Sequence, residues 1–153
     1  TISREDTLLE TGGGLRRALP LLGGDTVMTL NPDVVFTGGN PLKTLINGWR
    51  PDEMDALLLQ VPETRAVGRI GAGDFSMYGA GRLTRKGDLI FAGATICNPA
   101  SLADIGEEIF SLNVMWDRLI ARGRAFGVLH DGSWADVGRP DCIPLAEELL
   151  ARA

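Results

Sequence analysis

Apolar residues recur along this chain at two periods, and the changes of period mark out its elements. Leu15, Ala18, Leu19 and Leu22 fall at i, i+3, i+4 and i+7, one face of a helix. That helix starts in the glycines after Thr11, a candidate N-cap, and Pro20 is placed to distort or end it. The pattern then turns short and β-rich. Thr26 to Leu30 and Ala56 to Val61 read as buried strands. Between them, Asn40-Pro41 supplies a cap and a proline at the first position of a short helix through Ile46, and Asp52-Glu53-Met54 adds a turn. Pro62 to Gly73 is a glycine-spotted loop. Asp74 to Tyr78 alternates, and Arg82 to Thr84 follows across Gly79-Ala80-Gly81. After the Lys86-Gly87-Asp88 turn, Leu89 to Cys97 forms a long strand with Gly93 inside it, a place for a bulge or a close backbone approach. The middle of the chain therefore predicts antiparallel hairpins rather than strict βαβ units. Ser111 caps a helix from Leu112 to about Arg122, with Gly123 after it. Ala125 to His130 and Ser133 to Val137 are strands joined by Asp131-Gly132, a hairpin-type turn. Pro140 opens a final helix, with Leu145, Leu149 and Leu150 facing inward. Thr1 to Ser3 reads as the end of a strand entered midway.

Composition narrows the class. A chain of 153 residues suits one domain with a single core, and 44% hydrophobic content makes it a packed globular chain. Fifteen Lys and Arg against twenty Asp and Glu give a net charge of −5, a poor basis for generic nucleic-acid binding. A small phosphorylated ligand at a locally positive site stays compatible with that balance. Cys97 and Cys142 form no CxxC pair; Cys97 lies in an apolar run and reads as a buried thiol. No apolar run reaches the roughly 18 to 20 residues of a membrane span, and no signal peptide is visible, so the expected location is cytoplasmic with no membrane partner.

Two carboxylates carry the candidate chemistry. Asp33 and Asp136 each sit at a predicted strand end beside proline or glycine. Mg²⁺ takes hard oxygen ligands, often one or two carboxylates plus phosphates and water, so the pair could hold it if the strand ends are neighbours. Two turn aspartates would look the same. The triple glycine after Thr11 admits two readings as well. It is a helix start needing unusual backbone angles, its first N–H groups pointing outward, or a backbone platform against a nucleobase or ribose. It matches neither GxGxxG nor GxxxxGK[ST], so the dinucleotide and P-loop readings have no support. His130, the only histidine, has no recognisable nucleophile near it and reads as structural. Trp134 reads as a packing anchor, Glu107-Glu108 as a solvated face, and Arg65 and Arg69 as loop arginines that could meet phosphate, although loop arginines usually face solvent.

Taken in order, these segments resemble the sugar-1-phosphate nucleotidyltransferase family. LETGGGLRRALPLLG (Leu9 to Gly23) is similar to its base- and ribose-binding segment. LNPDVVF (Leu30 to Phe36) is similar to its strand ending in a metal-binding Asp, with Pro32 where Gly or Ser is commoner. GAGDFSMY (Gly71 to Tyr78) and FAGATICNP (Phe91 to Pro99) resemble the hairpin strands around the sugar pocket. FSLNVMWDRLIARG resembles the helix after them, and GSWADVGRP (Gly132 to Pro140) the segment bearing the second metal Asp. The resemblance implies an α/β fold, a Rossmann-like mixed sheet flanked by helices. It implies catalytic, Mg²⁺-holding roles for Asp33 and Asp136. Leu9, Glu10, Thr11, Gly12 and Gly13 would border the nucleotide, and Asp74, Gly93, Ala94 and Thr95 the sugar. The implied reaction joins an NTP, UTP or GTP, to a sugar 1-phosphate and releases pyrophosphate. The likeness is greatest to the compact bacterial branch of cell-wall recycling, which points to UTP with N-acetylmuramate 1-phosphate; mannose 1-phosphate with GTP is the alternative.

One part of the family pattern has no counterpart. Members begin with a glycine-rich loop, roughly LAAGxGxRMxP, and a PKPL segment that serve the triphosphate. The chain is therefore expected to be the C-terminal portion, residues 1–153, of a single nucleotidyltransferase domain. Its first strands would lie elsewhere, an apolar sheet edge would be exposed, and these residues alone would not turn over substrate. A non-catalytic nucleotide-sugar-binding subunit is the rival from another class. A Rossmann dehydrogenase fits poorly, because its fingerprint is missing and the middle is antiparallel.

Overall fold

The computed structural model describes all 153 residues. In chain order the elements are α1 (Glu10–Leu22), β1 (Val27–Leu30), β2 (Val34–Phe36), α2 (Pro41–Gly48), β3 (Ala56–Pro62), β4 (Ala66–Val67), β5 (Gly73–Tyr78), β6 (Arg82–Gly87), β7 (Leu89–Cys97), α3 (Leu112–Ala121), β8 (Ala125–Leu129), β9 (Trp134–Asp136) and α4 (Ile143–Ala151). Six strands form one sheet in the order β1-β7-β3-β8-β6-β5, and β2-β9-β4 form a second. In the large sheet only β3 and β8 run parallel. The expected mixed α/β architecture is present, and in the middle of the chain β5 pairs antiparallel with both β6 and β7.

The central strand explains the layering. Along β3, six consecutive residues are buried, because helices or loops cover both faces of the sheet. Leu58 points into a core with Phe75, Met115, Trp116 and Leu119, while Leu57 and Leu59 point into the opposite core with Leu45, Met54, Ile90 and Phe126. Cys97 is buried at the end of β7, and desolvation pushes its thiol up to about 12. No helix is long and apolar enough to cross a membrane.

Several local expectations change. The glycines lie inside α1, not before it, and Leu9 occupies the cap position without a side-chain bond. Thr11 serves another helix: its Oγ1 accepts the Leu112 N–H at 3.0 Å, beside the true α3 cap, Ser111, whose Oγ accepts from Asn113 N at 3.2 Å. Pro20 sits within α1, which continues to Leu22 and stops at Gly23 (φ 65). Thr1 to Ser3 form no strand. Val34–Phe36, directly after Pro32-Asp33, is a three-residue strand too short to show a period. The Asp131-Gly132 turn closes no hairpin, since β8 pairs with β3 and β6 while β9 pairs with β2 and β4. In α4 it is Ala146 that is buried; Leu145 and Leu150 are exposed, and Leu149 is half-buried. β1 is an edge strand with β7 its single partner, and Leu30 at its end is half exposed.

Candidate active site

The two aspartates meet because two short strands pair. In the β2–β9 ladder Val34 lies opposite Asp136, and the Val137 N–H donates to the Asp33 carbonyl at 2.9 Å. Asp33 therefore precedes β2 just where Asp136 ends β9. Gly138 leaves the space between them open. A Cβ there would lie 3.0 Å from Asp33 Oδ2 and 3.1 Å from Asp136 Oδ1, so both oxygens border one point. Asp136 Oδ1 accepts the Gly138 N–H at 2.9 Å, which fixes its rotamer. Neither aspartate is ion-paired with Lys or Arg.

Gly93 positions the Asp33 turn from behind. Its φ of 82 is open to glycine at little cost, and a Cβ there would press on Asn31 Cβ at 3.0 Å and Val34 Cγ1 at 3.1 Å. The missing side chain lets Asn31-Pro32-Asp33 lie against β7, and the Gly93 carbonyl accepts the Asn31 N–H at 2.8 Å.

Asp33 and Asp136 border a polar cavity of about 250 Å³ that also takes in Asn31, Arg69, Asp74, Arg85, Asn113, Trp116 and Trp134. A larger apolar hollow of about 470 Å³ continues from it through Asn31, Phe91, Asn113 and Trp116 toward Thr11, Gly14 and Leu15 of α1. Asp74 sits in the polar wall. One carboxylate oxygen takes the Arg69 guanidinium at 2.7 Å and the other accepts the Phe91 N–H at 3.0 Å. Arg85 lies across the Phe75 ring at 4.7 Å and the Trp116 ring at 5.9 Å, bonded to Asp117 and Asn113. The indole N–H groups of Trp116 and Trp134, both on buried residues, have no partner in the chain.

Not every expected residue faces this space. Ala94 and Thr95 are buried in the sheet opposite Leu30 and Thr29, and neither lines the cavity. Gly12 and Gly13 pack against the 108–110 segment, and both donate their N–H groups to the Phe110 carbonyl at 2.8 and 3.1 Å. Those donors are not free, contrary to the expectation of outward-pointing N–H groups. Glu10, at the start of α1, has φ 63, an uncommon conformation for a residue with a side chain. Leu9 is buried, and Thr11 is the one member of the 9–13 segment that borders the large hollow. Arg65, partly exposed, donates to the Asp131 carbonyl at 2.8 Å and clamps that turn. His130 is fully buried, its Nε2 2.8 Å from the Thr37 carbonyl, a structural role as expected.

Arg85, Asn31, Asn113 and Trp116 were not singled out as site residues in the sequence. They come from three separate segments, and nothing in the linear spacing of those segments predicts that they converge.

The donor set suits a hard divalent cation. No group of three or more His, Cys, Asp or Glu residues is placed to hold a metal, so the chain supplies two carboxylates. Mg²⁺ binds in that fashion, keeping waters and taking the remaining oxygens from substrate phosphates. Two unpaired carboxylates converging on one point fit it.

Solved structures share the fold of this chain. The chain superposes on Yersinia pseudotuberculosis HddC complexed with GMP-PN with a TM-score of 0.70 at 15% identity, covering 97% of this chain and 64% of that one. The inositol-1-phosphate CTP transferase from T. maritima also gives 0.70, at 13% identity, with 96% and 64% covered. UTP-bound UGPase from Acinetobacter baumannii gives 0.70 at 18%, with 95% and 57% covered. This is the nucleotidyltransferase fold. In sequence, the chain is 37% identical over 152 residues to the N-acetylmuramate alpha-1-phosphate uridylyltransferase of Caulobacter vibrioides, covering 95% of this chain and 63% of that protein. The resemblance read from the motifs is thus borne out by an identity that runs through nearly the whole chain and by the shared fold. The chain spans less than two thirds of that relative's length. No protein-family model matches the chain.

Proposed function

We propose that the protein is a sugar-1-phosphate nucleotidyltransferase of the cytoplasm and that this chain is the C-terminal portion of its single catalytic domain. The reaction joins an NTP and a sugar 1-phosphate into an NDP-sugar and releases pyrophosphate. UTP and N-acetylmuramate 1-phosphate are the favoured substrates, on the strength of the Caulobacter relative. The observation that carries the reading is the convergence of Asp33 and Asp136 at the mouth of a polar cavity.

A sugar phosphate oxygen would attack the α-phosphorus in line and expel pyrophosphate. The nucleophile is already anionic, so no strong base is required, and the single histidine is sealed off. Alignment and charge neutralisation supply the rate. Asp33 and Asp136 would hold Mg²⁺, which when bound neutralises phosphate charge. Asp74, whose two oxygens accept from Arg69 and the Phe91 N–H, would have only their remaining lone pairs for sugar hydroxyls. Phe91, Trp116 and Trp134 restrict water around the bound sugar. Thr11, the one residue of the Leu9 to Gly13 segment facing the hollow, would border the nucleotide.

The test is pyrophosphate release by the protein made from its complete reading frame. UTP and GTP are each paired with N-acetylmuramate 1-phosphate and mannose 1-phosphate, with and without Mg²⁺. Release with UTP and the muramate substrate, dependent on Mg²⁺, is the expected result. Tight binding of an NDP-sugar with no release from any pair would replace the enzyme with a binding subunit.

A further inference from the structure

The polar cavity has two kinds of wall. Asp33 and Asp136 form an anionic one, while Arg85 and Asn113 form a donor-rich one. Two arginines line the cavity, and they differ in how they are neutralised. Arg69 is paired with Asp74, itself a cavity residue with its second oxygen taken, so that charge is balanced within the wall. The partner of Arg85 is Asp117, which is not a cavity residue and whose side chain is 60% exposed. An exposed pair of this kind is screened and contributes little. Nε of Arg85 serves Asp117 and Nη2 serves Asn113, while Nη1 has no acceptor in the chain. Stacking over Phe75 and Trp116 holds the guanidinium plane in place.

We propose that Arg85 is a specificity-determining residue that reads a carboxylate on the sugar. This rests on the nucleotidyltransferase reading and names its substrate class: a sugar 1-phosphate bearing an additional acidic arm. With the 1-phosphate directed to the Asp33 and Asp136 end, a carboxylate on the ring's far side meets Nη1 of Arg85. With Nε and Nη2 already committed, Nη1 gives such a carboxylate one charge-assisted hydrogen bond. A neutral sugar offers that donor no charged acceptor and forgoes this bond. N-acetylmuramate carries such an acid on an ether arm; N-acetylglucosamine is the same ring without it.

The experiment measures kcat/KM of the complete protein with UTP and either N-acetylmuramate 1-phosphate or N-acetylglucosamine 1-phosphate. Wild type is expected to prefer the acidic sugar. Arg85→Gln should lower that preference ratio by about 10-fold or more, the loss expected for one charged hydrogen-bonding partner. Arg85→Lys, which keeps the charge, should restore part of it. Should Arg85→Gln fail to fold, Asn113→Ala, which frees the guanidinium from Oδ1, should lower the same ratio about threefold. An equal loss on both sugars, or an unchanged ratio in a folded variant, would show that Arg85 only packs Phe75 and Trp116, and the proposal would fall. A wild type without preference for the acid would overturn the proposal alone. A wild type that releases no pyrophosphate from either sugar with any NTP would overturn the enzyme reading as well.

Discussion

Asp33 and Asp136 are held side by side by backbone, not by their own side chains: the Val137 N–H donates to the Asp33 carbonyl at 2.9 Å, one residue from each carboxylate's strand end. The two carboxylates are therefore kept close without a salt bridge to either from Lys or Arg. Asp136→Asn should leave the fold intact, since an amide oxygen can still accept from Gly138 N. The same change should reduce Mg²⁺-dependent pyrophosphate release on the order of 100-fold. Near-normal turnover in a folded Asp136→Asn protein would remove the metal assignment.

The α1 glycines provide an inverted stability test. Replacing Gly with Ala inside a helix normally stabilises by up to about 1 kcal/mol. At Gly12 a Cβ would collide with the Phe110 ring and lie 2.8 Å from its carbonyl oxygen, so Gly12→Ala should destabilise by about 1–3 kcal/mol. At Gly14 the nearest atom is the end of the flexible Glu5 side chain, so Gly14→Ala should keep the ordinary stabilising sign. Urea midpoints of the two variants moving in the same direction would contradict this packing.

Asp55 and Arg124 tie the start of β3 to the residue before β8. Nε of Arg124 donates to Asp55 Oδ2 at 2.9 Å, and Asn98 donates to the other oxygen at 3.3 Å. The Arg124 hydrogen bond, the largest influence, holds the Asp55 carboxyl below its ordinary range against the opposing effect of burial. A lowered folded pKa means stability that is present above the unfolded carboxylate's pKa of about 4 and lost as pH falls through the folded value. Asp55→Asn should cost about 1–3 kcal/mol at pH 7. The gap from wild type should close below about pH 4. A gap unchanged down to pH 2 would mean the ion pair is not its source.

Cys97 tests the core directly. With its thiol pushed up to about 12 and its side chain buried, it should resist alkylation at pH 8 in the native protein and react fully in denaturant. Peptide mapping after iodoacetamide treatment reads this, and rapid native labelling at Cys97 would show that the β7 end is open.

Much of this protein was legible in the linear chain, for identifiable reasons. Caps and strand periods depend on local chemistry, so Asn40 with Pro41, Ser111, Gly123 and the long β7 with Gly93 could be read directly. The motif order around Asp33 and Asp136 was also visible. What the chain could not show is partnership between distant segments. Gly12 is a glycine because of Phe110, almost a hundred positions away, and Thr11 caps α3 rather than its own helix. β9 leaves its apparent hairpin because β2, itself too short to show a pattern, offers it an open edge. Arg85, Asn113 and Trp116 gather around one cavity only when β6 packs beside α3. Periodicity and capping are set within a few residues, whereas register and cavity walls are set by which buried surfaces pair, and that was decided by the tertiary structure alone.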